Sequence, residues 1–156
     1  MQNPKQTFTY DFPRPMVTVD VALFTHKDSQ WHVLLIERKN EPFKYHWALP
    51  GGFIDMEETL EQSALRELKE ETGIHDVGIE PFWTYGDPGR DPRGRVITVL
   101  FIGRIDWEHA EAETRAGDDA ANARWYPVSK LPVLAFDHQE IIDHLLSEFP
   151  YTEDHL

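Results

Sequence analysis

Residues 52–74 read GFIDMEETLEQSALRELKEETGI, and this stretch decides the fold. From Thr59 to Thr72, Leu60, Ala64, Leu65 and Leu68 recur at helical spacing, while Glu61, Glu67, Lys69, Glu70 and Glu71 fall on other faces. That pattern predicts an amphipathic helix. Asp55 and Glu58 stand in capping-box spacing ahead of it, and Gly73 followed by Ile74 is a suitable stop. Just upstream, Pro50-Gly51-Gly52 marks a turn whose backbone bends closely around a neighbour.

Glu67, Glu70 and Glu71 sit at i, i+3 and i+4, so all three reach one side of the helix, roughly 5–6 Å apart. Like charges so placed repel, and Arg66 supplies one compensating charge. Either the carboxylates point into water as a solvated acidic face, or a cation lies over them. Hard oxygen ligands on one helix, with a further carboxylate at Glu58 before it, suit Mg²⁺, or Mn²⁺ in its place. Glu58 has an alternative use as a helix cap.

Gly52, five residues, Glu58, seven residues, then Arg66-Glu67-Leu68-x-Glu70-Glu71-x-Gly73-Ile74 resembles the Nudix box at each of its nine defined positions. The resemblance implies an α/β (α+β) fold, an α/β/α sandwich around a mixed β-sheet. It implies Mg²⁺-assisted hydrolysis of a nucleoside diphosphate linked to another moiety X. It assigns metal binding to Glu71 and to Glu67 or Glu70, with Glu58 in a catalytic or supporting place. By the same resemblance Arg66 orients a neighbouring carboxylate, and Gly52 belongs to the loop that brings backbone to the metal.

Outward from the box, residues 1–15 are polar and proline-bearing and predict an irregular lead. Val17–Phe24 (VTVDVALF) and Trp31–Ile36 (WHVLLI) predict a β-hairpin. Further strands are expected at Ile79–Tyr85, Val96–Ile105 and Trp125–Val128. The Gly- and Pro-rich segment GDPGRDPRGR, residues 86–95, is expected to stay out of the core. A second amphipathic helix is expected over Asp137–Glu148, with Asp137 and Glu140 in capping-box spacing and Ile141, Ile142, Leu145 and Leu146 as its apolar stripe.

The 156 residues and 18.2 kDa match one ordinary domain, so 1–156 is read as a single unit. Against 28 acidic side chains stand 15 basic ones, a net charge of −13, opposite to what duplex DNA or an anionic membrane attracts. Nucleic acid and membrane are therefore not expected partners. An anionic ligand could be received only where a cation or a few placed arginines relieve the repulsion. The chain has no cysteine, which excludes disulfides, thiolate metal sites and cysteine nucleophiles. The start carries no apolar signal region, and the longest apolar run, Val96–Ile102, is too short for a bilayer, so a cytoplasmic location is expected.

Beyond the box, a looser similarity from Arg14 to Leu146 points to the Nudix branch of ADP-ribose pyrophosphatases and ADP-ribose-sensing regulators of NAD synthesis. It implies ADP-ribose as substrate, cleaved to AMP and ribose 5-phosphate. Arg90, Arg93 and Arg95 are candidates for phosphate or ribose, with ordinary loop charge as the alternative. Phe43, Trp47 and Tyr85 are candidates for stacking on adenine, with core packing as the alternative. His138 opens the last helix as a further candidate contact. Asp118 or Asp119 is the expected general base, with Glu67 competing. Two other readings remain open. One is clean-up of non-standard nucleoside triphosphates; the other is a non-catalytic sensor. The related regulators carry an added C-terminal DNA-binding domain, whereas this sequence ends at Leu156, which favours the enzyme. Relatives that cleave ADP-ribose are often dimers, so a homodimer is a possible state, with the Pro-rich start at its contact.

Overall fold

The computed structural model describes residues 7–117 and 120–149. Ten elements follow in order: β1 (Met16–Lys27), β2 (Gln30–Arg38), β3 (Trp47–Ala48), β4 (Gly51–Phe53), α1 (Leu60–Thr72), β5 (Ile79–Tyr85), β6 (Val96–Arg104), α2 (Trp107–Glu113), β7 (Ala120–Pro127) and α3 (His138–Glu148). The seven strands form one mixed sheet in the order β3-β2-β1-β6-β5, with β4 also pairing β1 and β7 also pairing β2. β1 runs parallel to β6 from Met16↔Val96 to Phe24↔Arg104, and its other pairings are antiparallel. The hairpin between β1 and β2 closes through Asp28 and Ser29 alone, both at positive φ. That is the backbone a two-residue turn needs to match the twist of its strands.

Alternation along β1 sorts its side chains between two cores. Val19, Val21 and Leu23 face Ala64 and Leu68 of α1, together with Leu34 and Phe101. Ala22 and Phe24 face Ile141, Ile142 and Leu145 of α3, together with Val33, Leu35, Leu100 and Ile102. The sheet is thus covered by helices on both faces, the expected sandwich.

Several local expectations are corrected. The capping box of α1 is Thr59 with Gln62: Gln62 N–H donates to Thr59 Oγ1 at 3.1 Å, and Thr59 N–H donates to Gln62 Oε1 at 2.9 Å. Asp55 and Glu58 are engaged elsewhere, Asp55 accepting from Glu57 N–H and Glu58 from Arg66. Gly73 does end the helix, at φ 78° with its N–H on Lys69 O. Asp137 makes no side-chain cap on α3, because its carboxylate is occupied by Arg90. α2 arises within a stretch where no element was expected, and β7 begins at Ala120 rather than Trp125. Among the described residues no helix is long and apolar enough to cross a membrane.

Candidate active site

A cavity of about 300 Å³ opens where β1 and β4 approach α1. Its wall includes Gly51, Gly52, Glu67 and Glu71 on one hand and Arg38, Arg90, Asp91, Arg93, Phe136 and His138 on the other. Pro50-Gly51-Gly52 leads directly into β4, so the turn sets backbone against the acidic helix. Gly51 N–H donates to Glu71 Oε1 at 2.8 Å. A Cβ on Gly52 would stand 2.7 Å from the Glu67 carboxyl carbon, so only glycine admits the backbone this close to that carboxylate.

Arg66 holds the other carboxylates. Its Nε donates to Glu58 Oε1 at 2.7 Å, and Nη1 donates to Glu67 Oε1 at 2.8 Å and to Glu70 Oε2 at 3.4 Å. Burial alone lowers the guanidinium's affinity for its proton, but its bonds to Glu58 and Glu67 hold the pKa well above the ordinary arginine value. Ser63 Oγ also donates to Glu58, which fixes that carboxylate at the start of the helix. One guanidinium thus gathers three of the clustered glutamates, while Glu71 is buried against the turn.

The residues present fit a hard divalent cation in their chemistry: carboxylate oxygens on one helix face, with glycine backbone pressed against them. Among the described residues no three His, Asp or Glu side chains already stand together at ligand spacing. The bonds from Arg66 keep Glu58, Glu67 and Glu70 turned toward its guanidinium instead.

The segment 86–95 stays out of the core, as expected, and most of it is exposed; it brings Arg90, Asp91 and Arg93 to the cavity wall, where their charges are paired. Arg90 makes a two-pronged pair with Asp137, Nε to Oδ2 at 2.9 Å and Nη2 to Oδ1 at 2.7 Å. Arg93 pairs with Asp91 at 2.7 Å and lies over the rings of Phe53 and Phe136. Burial works to raise the Asp91 carboxyl, but the hydrogen bonds and charge of Arg93 hold it below the usual carboxylate range. On the other side, Arg38 lies over Phe136 and donates to Pro42 O at 2.7 Å. Burial and the charge of Arg93 together lower its pKa. Phe136 has φ 52°, an uncommon conformation for a side chain of that size.

The remaining candidates separate clearly. Gly52, Glu67, Glu71, Arg90, Arg93 and His138 line the cavity. Glu58, Arg66 and Glu70 stand behind it as one ion-pair network. Trp47 is buried against Tyr126, and Phe43 packs on His46 and Phe136; neither lines the cavity. Tyr85 belongs to a second hollow with Trp83, Asp87 and Asp137 and meets His144 at 2.8 Å. Burial first, then the charges of Asp137 and Glu148, push its hydroxyl up to about 12. Arg95 donates to Gly86 O and closes its own loop. Asp118 and Asp119 lie outside the described residues.

The structure adds Asp20, Arg38, Asp91 and Phe136 to the cavity wall. Asp20 interrupts an apolar strand, which is a usable signal for a functional carboxylate. The other three have no comparable mark in the sequence.

The profile of the NUDIX domain family matches residues 14–149. The chain is 45% identical over 128 residues to the ADP-ribose pyrophosphatase of Methanocaldococcus jannaschii, covering 82% of this chain and 71% of that protein. It is 38% identical over 134 residues to the ADPR responsive transcriptional repressor NtrR of Acinetobacter baylyi, covering 85% of this chain and 53%, about half, of the repressor. Its fold is similar to the NUDIX domain of Shewanella oneidensis NrtR cocrystallised with ADP ribose, with a TM-score of 0.81, 35% identity, and 94% and 93% of the two chains covered.

Proposed function

The chain belongs to the NUDIX family and is a Nudix hydrolase; on that premise we propose that it splits ADP-ribose into AMP and ribose 5-phosphate with Mg²⁺ bound. The observation that carries this reading is the composition of one cavity wall, where Glu67 and Glu71 share a surface with Arg38, Arg90 and Arg93. A substrate rich in anionic oxygens would meet guanidinium groups there, Arg38 beside Arg90 and Arg93 that Asp137 and Asp91 already hold in place, despite a chain charge of −13. The likeness to an ADP-ribose pyrophosphatase and to an ADP-ribose-bound domain supports the choice of substrate.

In this reading Glu67 and Glu71 hold the ion, with Glu58, Glu70 and the Gly52 turn as further members of its surroundings. When bound, a divalent cation supplies charge neutralisation on the pyrophosphate and a lowered pKa for the attacking water. Mn²⁺ is a substitute of the same ligand preference. Arg66 acts as a positioning residue, since it bonds three carboxylates rather than the cavity. Asp118 or Asp119 serves as general base, with Glu67 as the competing assignment. The base accepts a proton from water, the water oxygen bonds to phosphorus, and the bridging P–O bond breaks to leave the second phosphate.

The similarity to a transcriptional repressor favours a second reading, in which the same cavity binds ADP-ribose without turnover. A panel of ADP-ribose, NADH, diadenosine polyphosphates and nucleoside triphosphates, assayed for hydrolysis with Mg²⁺, separates the readings. Preferential AMP release from ADP-ribose is expected. Binding of ADP-ribose with no hydrolysis would transfer the protein to the sensor class, and preference for triphosphates would replace the substrate.

A further inference from the structure

Two buried polar side chains of the cavity wall are left unused by the hydrolytic reading. Asp20 and His138 are both buried, with 7% and 4% of their surfaces exposed, and both line the cavity. Each is anchored from behind. Thr98 Oγ1 donates to Asp20 Oδ2 at 2.6 Å, and Leu49 N–H donates to His138 Nδ1 at 3.0 Å. An imidazole that accepts at Nδ1 while neutral carries its proton on Nε2. Burial favours that neutral form and outweighs the charges of Asp20 and Asp137, which oppose it, while Arg90 and Arg38 support it. His138 Nε2 then presents a donor and Asp20 Oδ1 an acceptor, 3.8 Å apart, which is too long for a direct hydrogen bond.

A donor and an acceptor so spaced are matched by one group that can accept from the first and donate to the second. One oxygen can sit about 2.8 Å from both atoms. A hydroxyl has that dual character, whereas a phosphate oxygen lacks the proton Asp20 requires and an apolar group satisfies neither. We propose that Asp20 Oδ1 and His138 Nε2 form a hydroxyl-recognition pair that reads one sugar hydroxyl of the nucleotide substrate. The inference rests on the reading that this cavity takes ADP-ribose. It assigns the pair to substrate choice and not to the hydrolytic step. Gly51 ties the two functions together in space, since a Cβ there would stand 2.5 Å from Asp20 Oδ1 while its N–H holds Glu71.

The shared chemistry is a ribose hydroxyl, and its two sources are the adenosine ribose and the distal ribose. The test is calorimetric binding of ADP-ribose and of analogues lacking a single hydroxyl on one ribose or the other, alongside their hydrolysis. Wild-type protein is expected to bind ADP-ribose at least about tenfold more tightly than one of these analogues, since the lost hydroxyl strands a buried donor and acceptor. The analogue that suffers identifies the source. Asp20→Asn keeps one oxygen for Thr98 Oγ1 and turns an amide N–H, a donor, toward the cavity in place of the acceptor. His138→Asn removes the donor but keeps an acceptor for Leu49 N–H. Both are expected to bring that ratio within about threefold of unity. Thr98→Val, outside the cavity, frees Asp20 and is expected to reduce the ratio as well, which keeps the test open should a direct variant fail a thermal-unfolding check. Equal wild-type binding of all analogues, or an undiminished ratio in folded variants, overturns the pair. Hydroxyl-dependent binding with no hydrolysis would remove the pyrophosphatase reading and leave the pair standing; hydrolysis with no hydroxyl dependence would do the reverse.

Discussion

Gly51 donates its N–H to Glu71 Oε1 at 2.8 Å, which fastens the sheet to the acidic helix at the mouth of the cavity. Because Gly52 is pressed against Glu67 in the same turn, two adjacent glycines meet neighbours of different stiffness. A Cβ on Gly51 would lie 2.2 Å from Val19 O, a backbone atom that cannot move without breaking the sheet. A Cβ on Gly52 would meet the far end of a longer side chain, the Glu67 carboxylate that Arg66 holds. Gly51→Ala is therefore expected to lower stability by about 1–3 kcal/mol or more. Gly52→Ala is expected to leave unfolding nearly unchanged while displacing Glu67 and depressing kcat. Denaturant melts and turnover measured on both variants check this; equal destabilisation would remove the distinction.

Glu71→Gln keeps an oxygen for the Gly51 N–H but removes the negative charge. The expected result is a native-like melting curve and a kcat lower by on the order of 10²-fold or more, since charge stabilisation by a bound ion is worth several kcal/mol. Titrating Mg²⁺ against the variant should show weakened ion binding. Near-normal turnover would take Glu71 out of the metal site.

Arg66→Lys tests whether the guanidinium fork matters. A lysine carries its three donors on a single nitrogen and cannot span Glu58 and Glu67 from two separate nitrogens of a planar fork as Arg66 does. kcat is expected to fall by roughly tenfold to a hundredfold as the carboxylates lose their alignment. The pairs are partly solvated, so stability should shift by no more than about 1 kcal/mol. A large loss of stability with kcat intact would make Arg66 a structural tie.

His138 gives the pH dependence. Burial lowers its pKa from the ordinary value of 6.5, so as pH falls below that value the unfolded chain takes up a proton that the native chain still refuses. Its contribution to stability is present above pH 6.5 and is lost as pH falls from there through the folded-state value. His138→Asn, which does not titrate, should flatten the stability profile in that window. A profile identical to wild type would mean that His138 charges equally in both states.

The architecture was readable because each half of it repeats a simple period. VTVDVALF, alternating and then apolar, announced a strand of the hairpin, and the leucine spacing around Leu65 announced an amphipathic helix; that the strand is buried on both faces and the helix covers one of them is seen in the structure. What could not be read was where long side chains end. Asp137 looked like a helix cap by position, yet Arg90, 47 residues away in sequence, takes its carboxylate. Arg38 shares Phe136 with Arg93, although nothing in local spacing links the three. Trp47 and Tyr85 have the same composition-level appeal as stacking residues, and only tertiary packing puts the first in the core and the second beside His144. The short strands β3 and β4 and the helix α2 have two, three and seven residues, too few for a period to declare itself.

The carboxylates that would carry the ion hang from one helix, whereas Asp20, Arg38, the 86–95 segment and the stretch from Phe136 to His138 furnish much of the remaining wall. Away from Asp20, which meets the acidic side through Gly51, mutational drift can therefore reshape the specificity side with the acidic helix left in place. In a lineage under changing metabolic demand, such a layout lets selection retune which nucleotide is accepted through a few wall positions. The machinery that breaks the anhydride bond is inherited intact.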